Sequence, residues 1–360
     1  MAESGDLNVT LNTRFALPYK LEGQLLVSVL QPTWPVIIFF GLLANLVNIV
    51  IFIKTGIRDS VTTLLCSLAV SDFFYLLFAC PFVATFIIFN FAPNWDWPFD
   101  MNITFYLFYW PSFAMYDFSA YVAVSTGVMR CACVAMPLRF KSVFTKSRTV
   151  TLVVVLFVFA VALRMPVITM FRLVWRINPA TNTSTLRLRS SNRKSLHHIN
   201  DLLNRNSLPF ISFIIMIACV IILTTKLYEA TRVRRSHTAQ SHKEISIRHP
   251  NDLKQYDAQR MSAKDIQVVQ SVVLVCSIFI MSQLPFSVYS TARLIEPEFD
   301  DTGYYQHLFN AITAISYTCS FLNASVNIFV YYRYNSKYRA AFLSVLKRKT
   351  ACKQSSVNRI

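Results

Sequence analysis

Glycine is scarce in this chain: 6 residues of 360, against 30 phenylalanines. No glycine-rich phosphate loop is spelled, nor a metal-ligand cluster or a nucleophile–base pair, so chemistry on a substrate is not expected and the chain does not read as an enzyme. Acids are scarce too. Asp and Glu number 18 against 35 Lys and Arg, a formal net charge of +17. Such a balance often marks a nucleic-acid partner. Here only 15% of residues are charged and 54% are hydrophobic, so nucleic acid is disfavoured, and the basic residues between apolar runs read as membrane-surface and partner contacts. The opening MAESGDLNVTLNTRF lacks a basic n-region and an apolar core, so no cleavable signal peptide is expected. The eight cysteines (Cys66, Cys80, Cys131, Cys133, Cys219, Cys276, Cys319 and Cys352) all fall in apolar runs or on the side assigned below to the cytoplasm. No disulfide framework is implied, and the CAC at 131–133 reads as small buried thiols.

Long apolar stretches fill the chain instead. Mean hydropathy is +0.43, and several runs exceed the roughly 18 residues that a membrane-crossing helix needs. Seven are readable, over 33–53, 62–89, 103–133, 149–171, 207–227, 267–294 and 305–332. Pro81, Pro166, Pro209 and Pro285 fall within runs, which a membrane tolerates because neighbouring helices satisfy the freed backbone. The expectation is an all-α membrane protein: an extracellular N-terminus over 1–30, a seven-transmembrane helix bundle over 31–334 and a cytoplasmic tail over 335–360.

Lys and Arg set the orientation. With the N-terminus outside, Lys54, Arg58, Arg139, Lys141, Lys146, Arg148, a basic segment over 232–264 and the tail lie on the cytoplasmic side. Basic residues there outnumber those outside by about two to one, the direction the positive-inside rule requires. Glycosylation sequons at Asn8, Asn102 and Asn182 then fall outside, and a fourth at Asn323 is buried in the seventh run. After that run, Tyr338, Phe342, Val345 and Leu346 share one helical face flanked by Lys337, Arg339 and Lys347. This reads as a short cytoplasmic amphipathic eighth helix lying on the bilayer, with Cys352 a candidate palmitoylation site beyond it.

Polar groups inside the membrane are costly, so each requires a reason. Asn45 and Asn48 of the first run, Asp72 of the second, Ser119 of the third, and Asn323 and Asn327 of the seventh lie at depths that would let them meet. Such a cluster is either a set of interhelical hydrogen bonds or a hydrated ion or proton site. Asp117 and Arg164 both fall about 20–24 Å above the cytoplasmic face. Arg164 reads as snorkelling to the outer headgroups, with a salt bridge to Asp117 as the alternative. The segment between the fourth and fifth runs carries Arg172, Arg176, Arg187, Arg189, Arg193, Lys194 and Arg205, with Asp201 its only acid. It reads as a solvated loop at the sugar and lipid surface, or as a steering field for an anionic ligand.

Five stretches in order on these runs resemble the rhodopsin-like (class A) G-protein-coupled receptor family: GLLANLVNIV through Asn45, SLAVSD through Asp72, MRCACVAMPLRF through Arg130 and Pro137, FIMSQLPF through Phe279 and Pro285, and LNASVNIFVYY through Asn327 and Tyr331. The resemblance covers about 30–345. Within the family, GIRDSVTTLLCSLAVSD and RCACVAMPLRFKSVFTKSRTV look most like the divergent lophotrochozoan branch, with its molluscan chemosensory-like and neuropeptide-like receptors. The resemblance implies a plasma-membrane receptor that binds an extracellular small peptide or odorant-like chemical and activates a heterotrimeric G protein. It assigns G-protein coupling to Arg130, Pro137, Arg139 and Tyr331, and transmission to Phe279, Gln283 and Pro285. It also makes Asn45, Asp72, Ser119, Asn323 and Asn327 an activation pocket able to hold an allosteric sodium ion.

The departures from the family pattern are Met129 for the acid before the arginine, Cys131 for the aromatic after it, Gln283 for the toggle Trp and Ile328 for the seventh-helix Pro. Phe105 stands where the family has a cysteine, so the common extracellular disulfide is missing. Ser112 in place of an aspartate disfavours an amine ligand, and Phe321 in place of a lysine disfavours a visual pigment. The pocket carried over by resemblance is Phe82, Phe86, Tyr109, Ser112, Phe113, Tyr116, Gln283, Phe286, Ser287, Arg293 and Tyr317. It is aromatic with a few polar handles, and Arg293 suggests an acidic group on the ligand. The rival readings are a receptor that binds without signalling, given the altered motifs, and a transporter or channel, which would require the internal repeats that are not seen here.

Overall fold

Proline and glycine set where the first helix starts and stops. Helix α1, Trp34–Thr55, is entered through a 3-10 turn at Gln31–Thr33, and each stretch has a proline in its opening positions, where no helical N–H bond is lost. Gly56 ends α1 with φ +81°, its N–H donating to the Ile53 carbonyl at 3.1 Å. The computed structural model describes residues 23–91, 102–135, 140, 142–169, 171–178, 183–190, 199–241, 263–300 and 303–345. Pro137, Arg139, Asn8, Asn182 and Cys352 lie outside the described residues.

Six further long helices follow. They are α2 (Ser60–Phe91), α3 (Trp110–Ala135), α4 (Lys146–Thr169), α5 (Leu208–Ser241), α6 (Ala263–Ile295) and α7 (Gln306–Tyr334). Pro81, Pro166 and Pro285 sit inside α2, α4 and α6 without ending them, as expected where neighbouring helices supply the missing backbone partners. Two of the long helices grow from wider turns. A π-helical stretch at Phe105–Tyr109 precedes α3, and another at Asp201–Ser207 precedes α5. Residues 336–345 form a last helix, α8, with Tyr338 buried and Lys337 and Arg339 exposed.

The helices form a ring of neighbours, α1 with α2 and α7, α5 with α3 and α6, and α6 with α7. Helix α3 runs through the middle and touches α2, α4, α5 and α6. By length and composition alone, five helices among the described residues are apolar enough to cross a membrane, and α3 and α7 are not among them. The reason is their position. Buried on α3 are Ser112, Asp117, Ser119 and Thr126, and on α7 Ser316, Ser320, Ser325 and Asn327. A central helix meets other helices and can carry polar groups that they satisfy. The peripheral α4 and α5 do the reverse, exposing Val154, Val155 and Val158, and Ile211, Ile214 and Ile221, an apolar surface suited to lipid and not to water.

The segment between α4 and α5 departs from the loop expected there. It forms an antiparallel hairpin, β1 (Phe171–Asn178) with β2 (Thr183–Ser190). Alternation of apolar and polar residues in Phe-Arg-Leu-Val-Trp-Arg-Ile has a period near two, which suits a strand and ends the helical run at Thr169.

The larger buried clusters divide the bundle along its axis. One, at the hairpin end, gathers Trp34, Tyr75, Phe82, Phe113, Tyr116, Phe286, Tyr289, Phe309 and Phe321. A second, at the Arg130 end, joins α2, α3, α5 and α6 through Leu64, Val122, Met129, Met216, Leu223, Val272 and Phe279. The third packs α1 against α7 and α8 through Phe52, Tyr331 and Tyr338.

Candidate functional site

Aromatic spacing on α2, α3 and α7 builds the first part of the site. Phe82 meets Tyr109 at 5.5 Å between ring centres, Tyr109 meets Phe113 at 4.7 Å, and Phe113 meets Tyr116 and Tyr317 at 6.1 Å each. Tyr116 reaches Phe286 of α6 at 6.4 Å, and Phe86 stacks on Trp34 at 6.2 Å. The sequence-derived pocket residues Phe82, Phe86, Tyr109, Phe113, Tyr116, Phe286 and Tyr317 are thus one connected network. Two of its polar members are already engaged. Ser112 donates to the Tyr75 carbonyl at 3.1 Å, and Gln283 donates to the Tyr116 hydroxyl at 2.6 Å. Ser287 is different, its buried hydroxyl having no hydrogen-bond partner among the described residues.

Charged groups frame this network. Arg293 lies 2.9 Å from Asp300 and 3.6 Å from Asp201, so its charge is balanced within the chain. That weakens the case for Arg293 as the partner of an acidic ligand. Sequence reasoning put Arg205 in a loop. The π-helical turn carries it inward instead, where its guanidinium donates to the Tyr109 hydroxyl at 3.2 Å. Its Nε stands 3.3 Å from Asp201, a charge contact too poorly aligned to count as a hydrogen bond. The spacing of Asp201 and Arg205, four residues apart, was the available signal.

Arg164 corrects a second expectation. It does not snorkel. Its side chain is 1% exposed and its Nε meets Asp117 Oδ2 at 2.6 Å. Burial of both charges makes pairing obligatory, since neither has water to solvate it. Asn200 accepts from Arg164 at 3.4 Å and from Asn204 at 3.0 Å, while Asn204 also donates to the Leu163 carbonyl at 2.9 Å. This network ties α3 and α4 to the start of α5. No disulfide occurs among the described residues.

Below the aromatic network, Ser320 donates to the Tyr116 hydroxyl at 3.3 Å, so Gln283, Tyr116 and Ser320 link α6, α3 and α7. Deeper still, Asp72 accepts from Ser119 at 2.5 Å and from Asn327 at 2.9 Å. Asn45 belongs to a neighbouring bond set, donating to the carbonyls of Gly41 at 3.0 Å and Ala324 at 2.7 Å, with its own amide oxygen unpartnered among the described residues. Asn323 is partly exposed and is not one of the Asp72 partners. Each Asp72 oxygen accepts one bond here and keeps a second lone pair. With the Ser119 oxygen beside it, this all-oxygen set fits a hard monovalent cation such as sodium. No group of three or more His, Cys, Asp or Glu able to hold a metal occurs among the described residues.

At the far end, Arg130 is half-buried near the close of α3, beside Met129, which is 1% exposed. Side chains of α5 and α6 close on α3 there. A Cβ added at Gly127 would stand 3.3 Å from Met216 Sδ and 3.4 Å from Cys276 Sγ. Phe279 is buried in the same cluster, and Pro285 lies further along α6. Tyr331 packs on Phe52 at 5.4 Å and on Tyr338 at 5.7 Å. Tyr338 in turn donates to Asn48 at 2.5 Å.

A family model described as 7 transmembrane receptor (rhodopsin family) matches residues 44–331. No curated protein matches the chain.

Proposed function

Because the chain belongs to the rhodopsin family of seven-transmembrane receptors, we propose that it converts binding of an extracellular ligand into activation of a heterotrimeric G protein. The observation that carries this reading is α3 itself. One helix bears Phe113 and Tyr116 of the aromatic network, Ser119 on Asp72, and Arg130 at the opposite end. A ligand that shifts α3 against α6 and α7 changes all three levels together. Ligand binding then biases a two-state bundle, and the ligand acts only through its differential affinity for the two states.

The hairpin end faces the outside and the Arg130 end the cytoplasm of a cell at its plasma membrane. The excess of Lys and Arg around the Arg130 end and the positions of the sequons support that orientation. The ligand is a small peptide or an odorant-like chemical with aromatic or apolar bulk, matched to Phe82, Tyr109, Phe113, Phe286 and Tyr317, and with a polar group for Ser287. The G protein docks where Arg130 emerges, with Pro137, Arg139 and Tyr331 contributing. Gln283 and Tyr116 take the place of the family's toggle Trp, so that a hydrogen bond, and not an indole ring, joins α6 to α3. Asp72 with Ser119 and Asn327 holds sodium in the resting state.

Guanine-nucleotide exchange tests the reading, measured on a panel of G proteins in membranes carrying the chain, with a peptide and odorant library. Exchange is expected with one G-protein class and is expected to vanish in Arg130→Ala at equal surface expression. Saturable ligand binding with no exchange on any G protein would establish a receptor that binds without signalling and would sink the coupling proposal. A ligand-dependent current without G proteins would point to a channel.

A further inference from the structure

The hairpin has two unlike faces. Its register sets Arg172 opposite Arg189 and Val174 opposite Arg187, with Arg176 opposite Thr185. Side chains alternate along a strand, so four arginines share one face. The other face sets Leu173 opposite Leu188 and Trp175 opposite Leu186. The four arginines are exposed, and so are Leu173 at 49% and Trp175 at 69%. The stretch 171–200 itself contains no Asp or Glu.

Neither face suits water alone. Like charges directly opposite on an antiparallel pair repel each other, and Trp175 beside Leu173 leaves an apolar strip uncovered. We propose that the hairpin is a membrane-interface anchor. It lies in the phospholipid headgroup layer of the leaflet at its own end of the bundle. Leu173, Trp175, Leu186 and Leu188 rest on the acyl boundary, and Arg172, Arg176, Arg187 and Arg189 contact lipid phosphates.

Continuity with the lipid-facing side of α4 supports this occupant. Val154, Val155, Val158 and Met165 are exposed along α4, and β1 begins at Phe171, just past the helix end at Thr169. The hairpin therefore leaves the bundle at the height where hydrocarbon gives way to headgroups. That layer is about 5–8 Å thick on each side, and a sheet with its side chains is about 10 Å thick, so one ribbon can touch acyl chains below and phosphates above. A phosphate between two guanidiniums turns the Arg172–Arg189 repulsion into a pair of charge-assisted hydrogen bonds. A two-stranded ribbon also has edge N–H and C=O groups that hydrocarbon cannot satisfy but headgroups and water can. Tryptophan is the residue most suited to that depth. The root of the hairpin is keyed to the bundle, Phe171 packing on Tyr106 at 5.7 Å within a cluster that includes Trp110 of α3 and Val167 of α4. An anchored hairpin thus fixes the ends of α3 and α4 relative to the bilayer, beside the aromatic network.

The test uses the full chain in nanodiscs of phosphatidylcholine, and of phosphatidylcholine brominated near the glycerol end of its acyl chains. Subtracting the emission of Trp175→Phe isolates Trp175. Its emission is expected to be blue-shifted and quenched about twofold by the brominated lipid. Replacing all four hairpin arginines by glutamine is expected to remove about half of that quenching, as the electrostatic part of the attachment is lost. Emission open to aqueous iodide and untouched by brominated lipid would overturn the anchor. If an alternating Glu-Thr peptide shielded Trp175 from iodide, the arginine face would be a dock for acidic peptide instead, which also overturns it. The wild-type and Trp175→Phe comparison stands alone should the quadruple variant fail to fold, and neither result depends on G-protein coupling.

Discussion

Asp117 and Asp72 are both buried in the bundle, and they are held in different ways. Asp117 meets a guanidinium, Arg164 at 2.6 Å, which stacks over Phe113 with 5.7 Å from its central carbon to the ring centre. Asp72 meets only neutral donors, the Ser119 hydroxyl and the Asn327 amide. The first region carries a balanced pair and acts as a strut between α3 and α4. The second carries a carboxyl group met by no cationic side chain among the described residues, which is why the proposed sodium ion is assigned to it. The same residue type is therefore a fixed joint at the hairpin end and, in the proposed function, a loadable site at mid-bundle.

Breaking the strut should have the largest effect. Arg164→Leu strands Asp117 in a buried site, and removing one partner of a buried pair costs about 3–5 kcal/mol. The expected outcome is a large drop in the thermal unfolding temperature of the solubilised protein and in surface expression. Adding Asp117→Leu should restore most of the loss, because an apolar pair of similar volume replaces a buried ion pair nearly neutrally. If the double variant were as unstable as the single one, Arg164 would matter for its packing on Phe113 more than for its charge.

Loading the second site should have an intermediate effect. Sodium at about 100 times its dissociation constant would stabilise the protein by about 2.7 kcal/mol. Thermal unfolding in sodium is expected to exceed that in choline at equal ionic strength. Asp72→Asn should abolish that difference, since it removes the charge but keeps a hydrogen-bonding side chain. A sodium-dependent shift that survives Asp72→Asn would move the cation elsewhere.

The two regions also differ in how far they could be read from sequence. Asp72, Ser119 and Asn327 were legible because each is a costly polar group at mid-run, and the bundle brings all three together. Asn323 sits four residues before Asn327 in the same run, one turn along α7, yet it is only partly buried and is not among the hydrogen-bond partners of Asp72. Depth along a helix is readable in one dimension, but the rotation that points a side chain inward is a property of the packed ring. Arg164 failed for the same reason: its height allowed either snorkelling or pairing, and only the approach of α3 to α4 decides. Arg205 failed because a π-helical turn at Asp201–Ser207 shifts the register, and a wide turn leaves little trace in hydrophobic periodicity. The hairpin was read as a loop, although its strands alternate with a period near two.

A third polar site, between α1 and α8, sharpens the comparison with the smallest expected effect. Tyr338 donates to Asn48 at 2.5 Å, and the Asn48 amide nitrogen has no partner among the described residues. Both side chains are buried, Asn48 at 0% and Tyr338 at 1%, and burial pushes the Tyr338 phenol above its ordinary range, keeping it the donor. Tyr338→Phe keeps the ring contacts with Phe52 and Tyr331 at 5.6 and 5.7 Å and removes only the hydroxyl. Loss of one neutral hydrogen bond costs about 1 kcal/mol, well below the cost of stranding a charge. The expected result is a small fall in unfolding temperature and faster proteolysis within 336–345, with the sodium-dependent shift intact. If that shift disappeared as well, Asn48 and Asp72 would belong to one network, and the anchoring of α8 would then be set by whether the mid-bundle site is loaded.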